Sequence, residues 1–329
     1  MLAVLSLLGV GLAAIALVSG DDDAEDPRAS DAETDEVDED GSDTGGGAPA
    51  DGDPDGAADG AVLFFDGDDD LVGTDGDDTV PGGQDWVLAP DRIELGAGDD
   101  IAEFEHATFI EIHGGEGEDT ISVSGEGPRL WGGPGDDVLT GGAATDLYGG
   151  AGADTLVSNS DSALNDRTSN VDGGAGDDVI VIRSDLGLFG TDKGGTILSG
   201  GEGADEISFE IRPVPVEPWG EEGLVVETSG GRLLDFDPEE DTLRVEFDDS
   251  AGRDVTEIVF DQTATPEGAR TLIQLRMGTV EDEDEDGSEG GGEATIVIEV
   301  LSRAPFDVEE VEFGGIADLA GVLRVGAIA

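Results

Sequence analysis

The sequence predicts an all-β chain built as a stacked repeat and followed by a strand-rich C-terminal region. Three observations carry that expectation. A nine-residue unit, Gly-Gly-x-Gly-x-Asp-x-apolar-x, recurs, and its clearest run spans Gly132 to Val157 as GGPGDDVLT, GGAATDLY and GGAGADTLV. The eighth position of the unit is aliphatic, at Ile121, Leu139, Leu156, Ile180 and Ile207; such a residue starts a short strand with one buried face. After the repeats come alternating segments, among them GRLLDFD, TLRVEFD, TLIQLRM and TIVIEVL, which read as further strands. A flexible Gly/Asp linker would not place an aliphatic residue two positions after the aspartate in copy after copy.

Further copies begin at Gly73 (GTDGDDTVP), Gly114 (GGEGEDTIS), Gly173 (GGAGDDVIV) and Gly200 (GGEGADEIS). Partial copies sit at Gly67-Asp68-Asp69 and Gly96-Ala97-Gly98-Asp99-Asp100, and the middle copy of the main run carries Ala144 and is one residue short. The glycines suit a turn that needs positive φ and close backbone approach. Such a turn aims carbonyl oxygens inward, and the aspartate adds a hard anionic oxygen. Calcium takes 6–8 oxygen ligands in flexible geometry and mixes carboxylates with carbonyls. The unit holds no nitrogen or sulfur ligand, which makes zinc, copper and iron poor candidates.

The unit resembles the RTX (hemolysin-type) calcium-binding nonapeptide. The resemblance covers somewhat under half of the chain. It implies a right-handed parallel β-roll in which two units make one 18-residue coil, six residues of each unit forming an ion-binding turn and three a strand. It further implies Ca2+ held between turns stacked on the same side by the sixth-position aspartates. In this sequence those are Asp69, Asp78, Asp100, Asp119, Asp137, Asp146, Asp154, Asp178 and Asp205. A second acid precedes several of them, at Asp68, Asp77, Asp99, Glu118, Asp136 and Asp177; this neighbour is expected to face solvent. Asp100, Asp119, Asp137 and Asp154 recur at spacings of 19, 18 and 17 and should share one side. The opposite side, counted back from the inward strand residues, offers Ile110, Pro128 and Ser169, with Asp146 from the shortened unit.

Taken in order, residues 1–20 carry no charged side chain, and about 20 apolar residues suffice to span a bilayer as a helix. They form a hydrophobic export or membrane segment, the only expected membrane contact. Residues 21–60 hold 17 acids and one base, Arg28, with almost nothing to bury; this is an acidic, self-repelling spacer. Residues 61–209 form the roll. Its strands end repeatedly in Gly-Gly, and their inward residues are expected to be Ile112, Leu130, Leu147, Val171 and Leu198. No coil can bury its face alone, so the coils must stack. Pro213, Pro215 and Pro218 mark a boundary. Residues 210–329 then read as a β-rich C-terminal cap over the open end of the roll, opening with Asp235-Phe236 and Asp241-Thr242-Leu243, similar to the segment that follows the roll in RTX proteins. In that family an apolar C-terminal stretch like GGIADLAGVLRVGAIA carries the address read by type I secretion machinery; a last core strand or helix is the other reading of the same residues.

The chain has 329 residues, 81 of them acidic against 14 basic, for a net charge of −67. It repels nucleic acid and attracts cations. There is no cysteine, so neither a disulfide nor a thiolate metal site holds the fold. His106 and His113 are the only histidines and lack the H-E-x-x-H spacing of a zinc protease. No G-x-S-x-G or P-loop occurs. Trp86, Trp131 and Trp219 are scattered and are expected to pack against the coil. The residues thus indicate a calcium-binding protein that is not an enzyme, secreted or displayed at the cell surface, whose roll folds on calcium. A calcium-dependent adhesin, an extracellular matrix component, or the carrier part of a secreted enzyme or toxin are the other readings.

Overall fold

Fourteen short strands succeed one another as pairs, each pair making one coil. In a computed structural model they are β1 (Leu71–Val72) and β2 (Thr79–Val80); β3 (Arg92–Ala97) and β4 (Ile101–Glu105); β5 (Glu111–Glu116) and β6 (Thr120–Ser124); β7 (Arg129–Pro134) and β8 (Val138–Gly141); β9 (Asp146–Ala151) and β10 (Thr155–Asp161); β11 (Asn170–Ala175) and β12 (Val179–Leu186); β13 (Ile197–Glu202) and β14 (Glu206–Pro213). The structure describes residues 60–64, 70–81, 91–105, 107–161, 168–186, 195–213, 225–248, 255–277, 293–316 and 318–325, all within one compact unit, Gly45–Ala329. Residues 1–59, and with them the export segment and nearly all of the acidic spacer, lie outside the described residues.

Odd-numbered strands pair only with odd ones and even with even, in parallel, giving two sheets that face each other. This is the parallel β-roll that the repeat implies. The inward column of the odd sheet is Ile93, Ile112, Leu130, Leu147, Val171 and Leu198. That of the even sheet is Val80, Ala102, Ile121, Leu139, Leu156, Ile180 and Ile207. All are at most 2% exposed. At least one aliphatic side chain on every strand from β2 to β14 therefore points into the roll, and stacking seals each against the next coil. The short unit leaves four residues, 142–145, between β8 and β9. There Gly141 replaces a larger residue because a Cβ would lie 2.6 Å from Thr145 Cγ2 and 3.1 Å from Leu147 Cδ2.

Each passage from odd to even strand is a tight turn. At Gly133 (φ 130°) and Gly135 (φ 141°) the backbone occupies a region closed to other residues. A Cβ there would strike the carbonyl oxygens of Gly115 and Gly117 in the preceding coil. Close turn-on-turn stacking thus requires the repeated glycines.

The boundary expected at residue 210 falls inside β14, and the two sheets run on through it. Next come β15 (Val225–Phe236), β16 (Thr242–Phe247), β17 (Val255–Thr265), β18 (Gly268–Met277), β19 (Glu293–Ser302), β20 (Val311–Gly314), one short helix α1 (Leu319–Val322) and β21 (Leu323–Val325). β15 and β16 add a further coil, and β19 and β20 pair in parallel with them. Only β17 and β18 depart from the roll, lying antiparallel to each other and to β19. The core here is Phe306 edge-on to Phe236 and Phe260, at centroid distances of 5.0 and 5.5 Å. The acidic run Glu281–Asp286, which reads in the sequence as a charged hairpin tip, lies outside the described residues. Among the described residues no helix is long and apolar enough to cross a membrane.

Candidate metal centre

Seven consecutive turns along one side of the roll present an aspartate immediately before the even strand. Asp78, Asp100, Asp119, Asp137, Asp154, Asp178 and Asp205 stand in register there, each 1–2% exposed. A continuous ladder joins them. The amide of Asp78 donates to Asp100 Oδ1 (2.6 Å), Asp100 to Asp119 (2.9 Å), Asp119 to Asp137 (2.8 Å) and Asp137 to Asp154 (2.8 Å). Asp154 donates to Asp178 (2.8 Å) and Asp178 to Asp205 (3.0 Å). One oxygen of each carboxylate is therefore spent on holding the preceding coil.

The other oxygen is not. Oδ2 of Asp100, Asp119, Asp137, Asp154 and Asp178 is buried with no hydrogen-bond partner. A buried, unpartnered carboxylate oxygen is costly, and its repetition five times in register makes these oxygens the candidate ligand positions. The first glycine of each unit shows where the oxygen points. A Cβ built on Gly132 would collide with Asp137 Oδ2 and lie 2.7 Å from the carbonyl oxygen of Gly149 in the next coil. The same convergence recurs at Gly114, with Asp119 Oδ2 and Gly132 O (2.8 Å), and at Gly149, with Asp154 Oδ2 and Gly173 O (2.5 Å). Carboxylate and carbonyl oxygens thus meet in a cradle that any side chain would fill. Among the described residues no three acidic or imidazole side chains converge on one point; the remaining oxygens come from backbone. That donor set is hard, all-oxygen and anionic, which fits calcium and not a metal that seeks nitrogen or sulfur.

The electrostatics agree. Burial pushes the Asp119 and Asp178 carboxyls up to about 7 and those of Asp100 and Asp154 up to about 6. The amide each accepts from the coil before it pulls the other way, and the neighbouring aspartates add repulsion. Asp137 and Asp205 are raised for the same first reason. A cation in the cradle would supply the positive charge that this column lacks.

Of the nine expected ligands, Asp69 lies outside the described residues, and one, Asp146, does not join the column. Asp146 opens β9 on the opposite side and pairs in register with Arg129. Its carboxylate faces outward and accepts from the Asn170 amide (2.8 Å) and side chain (2.9 Å). The residue that aligns with Ile110, Pro128 and Ser169 is Thr145, because the missing residue of the short unit is taken from this turn and not from the strand. Asp78 differs as well, since its Oδ2 accepts the Thr74 amide at 2.6 Å. One residue absent from the expected set belongs to it. Asp241 Oδ1 accepts the Asp205 amide (3.2 Å) and Oδ2 the Asp237 amide (2.7 Å), so it closes the ladder. Its signal was the Asp235–Leu243 segment, which lacks the glycines of the repeat. The second acids are exposed yet stitch the turns: Asp77, Asp99, Asp136 and Asp177 each accept an amide from the following coil.

On the outer face of the odd sheet Trp131 stacks between His113 (4.3 Å) and Tyr148 (5.4 Å). His113 Nε2 is buried without a hydrogen-bond partner, and burial lowers its pKa; stacking, not hydrogen bonding, holds it. His106, Trp86 and Trp219 lie outside the described residues.

Fold and site together define a parallel solenoid whose turn aspartates, among the described residues, line up along one side. The RTX calcium-binding nonapeptide repeat matches residues 65–86 and 131–162 in 4 copies, so the chain carries calcium-binding repeats of that family. The same turn geometry recurs outside the matched residues, at Asp100, Asp119, Asp178 and Asp205. No curated protein and no solved structure matches the chain.

Proposed function

We propose that this chain is exported or displayed at the cell surface and that its roll folds there on binding calcium, acting as an ion-dependent structural protein rather than an enzyme. The observation that carries the reading is the column of buried carboxylates whose Oδ2 atoms have no partner. At neutral pH and scarce calcium the column must hold like charges a few ångströms apart out of water, which opposes coil stacking. Calcium removes that opposition, so binding free energy becomes folding free energy. A compartment poor in free calcium would keep the chain open, and a calcium-rich exterior would close it. Residues 1–20 would engage the membrane or an export route, and the apolar C-terminus would serve as an address for type I secretion.

Stepwise calcium addition to the full chain, followed by circular dichroism, tests this. A β spectrum should develop with calcium and far less with magnesium, which demands tighter octahedral geometry and dehydrates reluctantly. A β spectrum that survives exhaustive chelation at moderate ionic strength would refute it.

A further inference from the structure

The aspartate column is not uniform along its length. A complete cradle has a glycine five residues before the aspartate, an Oδ2 with no hydrogen bond, and a carbonyl oxygen from the following coil. The turns of Asp119, Asp137, Asp154 and Asp178 have all three. Their Oδ2 atoms are buried without partners. A Cβ on Gly114, Gly132, Gly149 or Gly173 would meet that oxygen together with the carbonyl of the next coil's first glycine.

The turns on either side differ. Towards the N-terminus Leu95 stands in register with Gly114, because Gly96 pairs with Gly115. Its side chain is 0% exposed and brings the Cβ that Gly114 must omit, with an isobutyl group beyond it. Asp100 Oδ2 is unpartnered, but hydrocarbon stands where its cradle would be and offers a cation no oxygen. One coil earlier both oxygens of Asp78 are taken. Oδ1 accepts the Ala61 amide (2.6 Å) and the Thr74 hydroxyl (3.0 Å), and Oδ2 the Thr74 amide (2.6 Å). At the other end the oxygens of Asp241 accept the Asp205 and Asp237 amides, in a turn, Asp235–Asp241, that contains no glycine. Asp235 Oδ1 accepts the Gly200 amide (3.1 Å), and its Oδ2 the Ser199 hydroxyl (2.6 Å) and the Gly201 amide (3.1 Å). The three atoms nearest a Cβ on Gly200 all belong to Asp205, with no carbonyl of the following coil among them.

Resting on the calcium reading above, we infer that the ion column is finite and sealed at both ends by the protein itself: the described turns hold four calcium ions, at Asp119, Asp137, Asp154 and Asp178, with Leu95 as the stop at one end and the Asp235–Asp241 turn as the stop at the other. Each ion needs oxygens from two successive coils, so a terminal turn can offer only part of a donor set. Backbone amides satisfy the carboxylates of Asp78 and Asp241 without metal. The outermost coils are thus closed by hydrogen bonds, in keeping with the different end units that a solenoid requires.

The calcium content of the full chain tests this. Wild type and variants are dialysed at the lowest free calcium that saturates wild type, set by a competing chelator, and bound calcium per chain is read by atomic emission. The exposed acids are the same in every sample and cancel in the comparison. Asp119→Asn should lower the content by one ion. Asp100→Asn should leave it unchanged, although both carboxylates are buried and both Oδ2 atoms unpartnered. Leu95→Gly should raise it by one, by opening the Asp100 turn to the Gly114 carbonyl. The cavity it leaves lowers stability, so circular dichroism of the same samples checks folding, and Asp100→Asn decides the matter should Leu95→Gly not fold. Loss of one ion in Asp100→Asn would overturn the inference, as would a folded Leu95→Gly that gains none. A wild type that retains no calcium refutes the calcium reading itself; a loaded wild type in which Asp100 counts refutes only the stop.

Discussion

Replacing Asp137 with asparagine separates the two tasks of the column carboxylate. Asp137 Oδ1 accepts the Asp119 amide at 2.8 Å, and an asparagine carbonyl can keep that bond. Oδ2 has no partner and faces the Gly149 carbonyl; there the charge is lost and an amide enters. Outer-shell changes at metal sites cost 10–100-fold in affinity, and this change removes an anionic oxygen from the cradle itself. The calcium midpoint should therefore rise by at least about tenfold, or ~1.4 kcal/mol. Without calcium the sign reverses. Burial raises the Asp137 pKa, so removing its charge relieves a penalty, and Asp137→Asn should retain more β signal than wild type in chelator at pH 8. Asp146→Asn is the control. Its carboxylate accepts from Asn170 and lies 3.7 Å from Arg129 at the surface. Exposed pairs contribute ~0–1 kcal/mol, so its midpoint should move less than about fivefold. Both midpoints come from one calcium titration followed by circular dichroism. Equal shifts would refute a one-sided column.

Gly132→Ala puts a methyl into the cradle against Asp137 Oδ2 and Gly149 O; its calcium midpoint should rise at least as far as that of Asp137→Asn in the same titration. The calcium-free chain should gain β structure as pH falls. The column carboxyls have folded pKa values raised to about 6–7, so the folded form binds more protons than the unfolded form between pH ~4 and ~7, and its stability is lost as pH rises through that range. Circular dichroism in calcium-stripped buffer should show the transition near pH 6–7; one confined to pH 4, where exposed carboxylates titrate, would count against it. Ala144 sits at φ 55°, next to Gly127 at φ 75° in the turn it stacks on. Left-handed backbone costs ~1–2 kcal/mol outside glycine, against ~0.4–1 for the added freedom of the unfolded glycine chain. Ala144→Gly should thus raise the thermal midpoint in saturating calcium, and a fall would show that the turn is unstrained. Ending the chain at Asp248 strips β19 from β15 and Phe306 from Phe236. The truncated protein should aggregate or need more calcium, as light scattering during the titration will show.

The roll and the side that carries the aspartate column were legible because a repeated turn fixes both composition and length. An aspartate two residues before an aliphatic one, after glycines at set offsets, admits few other geometries, and Ile112, Leu130, Leu147, Val171 and Leu198 are all buried where the pattern places them. Asp146 misled because its unit mimics the repeat while its turn lies on the other side; composition cannot show from which turn a missing residue was taken. Asp241 was missed for the opposite reason, since it performs the ladder's hydrogen bonding without the repeat's glycines. Residue 210 was read as a boundary from prolines, but Pro213 ends β14, and the inward aliphatics Leu233 and Leu243 continue both sheets beyond it.

The two turns of each coil obey different rules, and the placement of the insertions follows from that. Every odd-to-even turn from β3 to β14 leaves only three residues outside the strands: 98–100, 117–119, 135–137, 152–154, 176–178 and 203–205. A longer turn would carry its aspartate out of register with the carboxylate above and the amide below, and would open the cradle. Among the described residues the even-to-odd connections carry no such ladder, and their lengths vary. They run from four residues at 142–145 through eight at 162–169 and ten at 187–196 to eleven at 214–224. On that side the aligned positions are Ile110, Pro128, Thr145, Ser169 and Thr196, buried but with no carboxylate among them. Loop length costs little entropy once the ends are fixed, so insertion is tolerated wherever ligand geometry does not forbid it. A nonapeptide repeat therefore survives intact on one side of this roll and decays on the other. The interruptions that make the sequence look irregular lie on the side without the aspartate ladder.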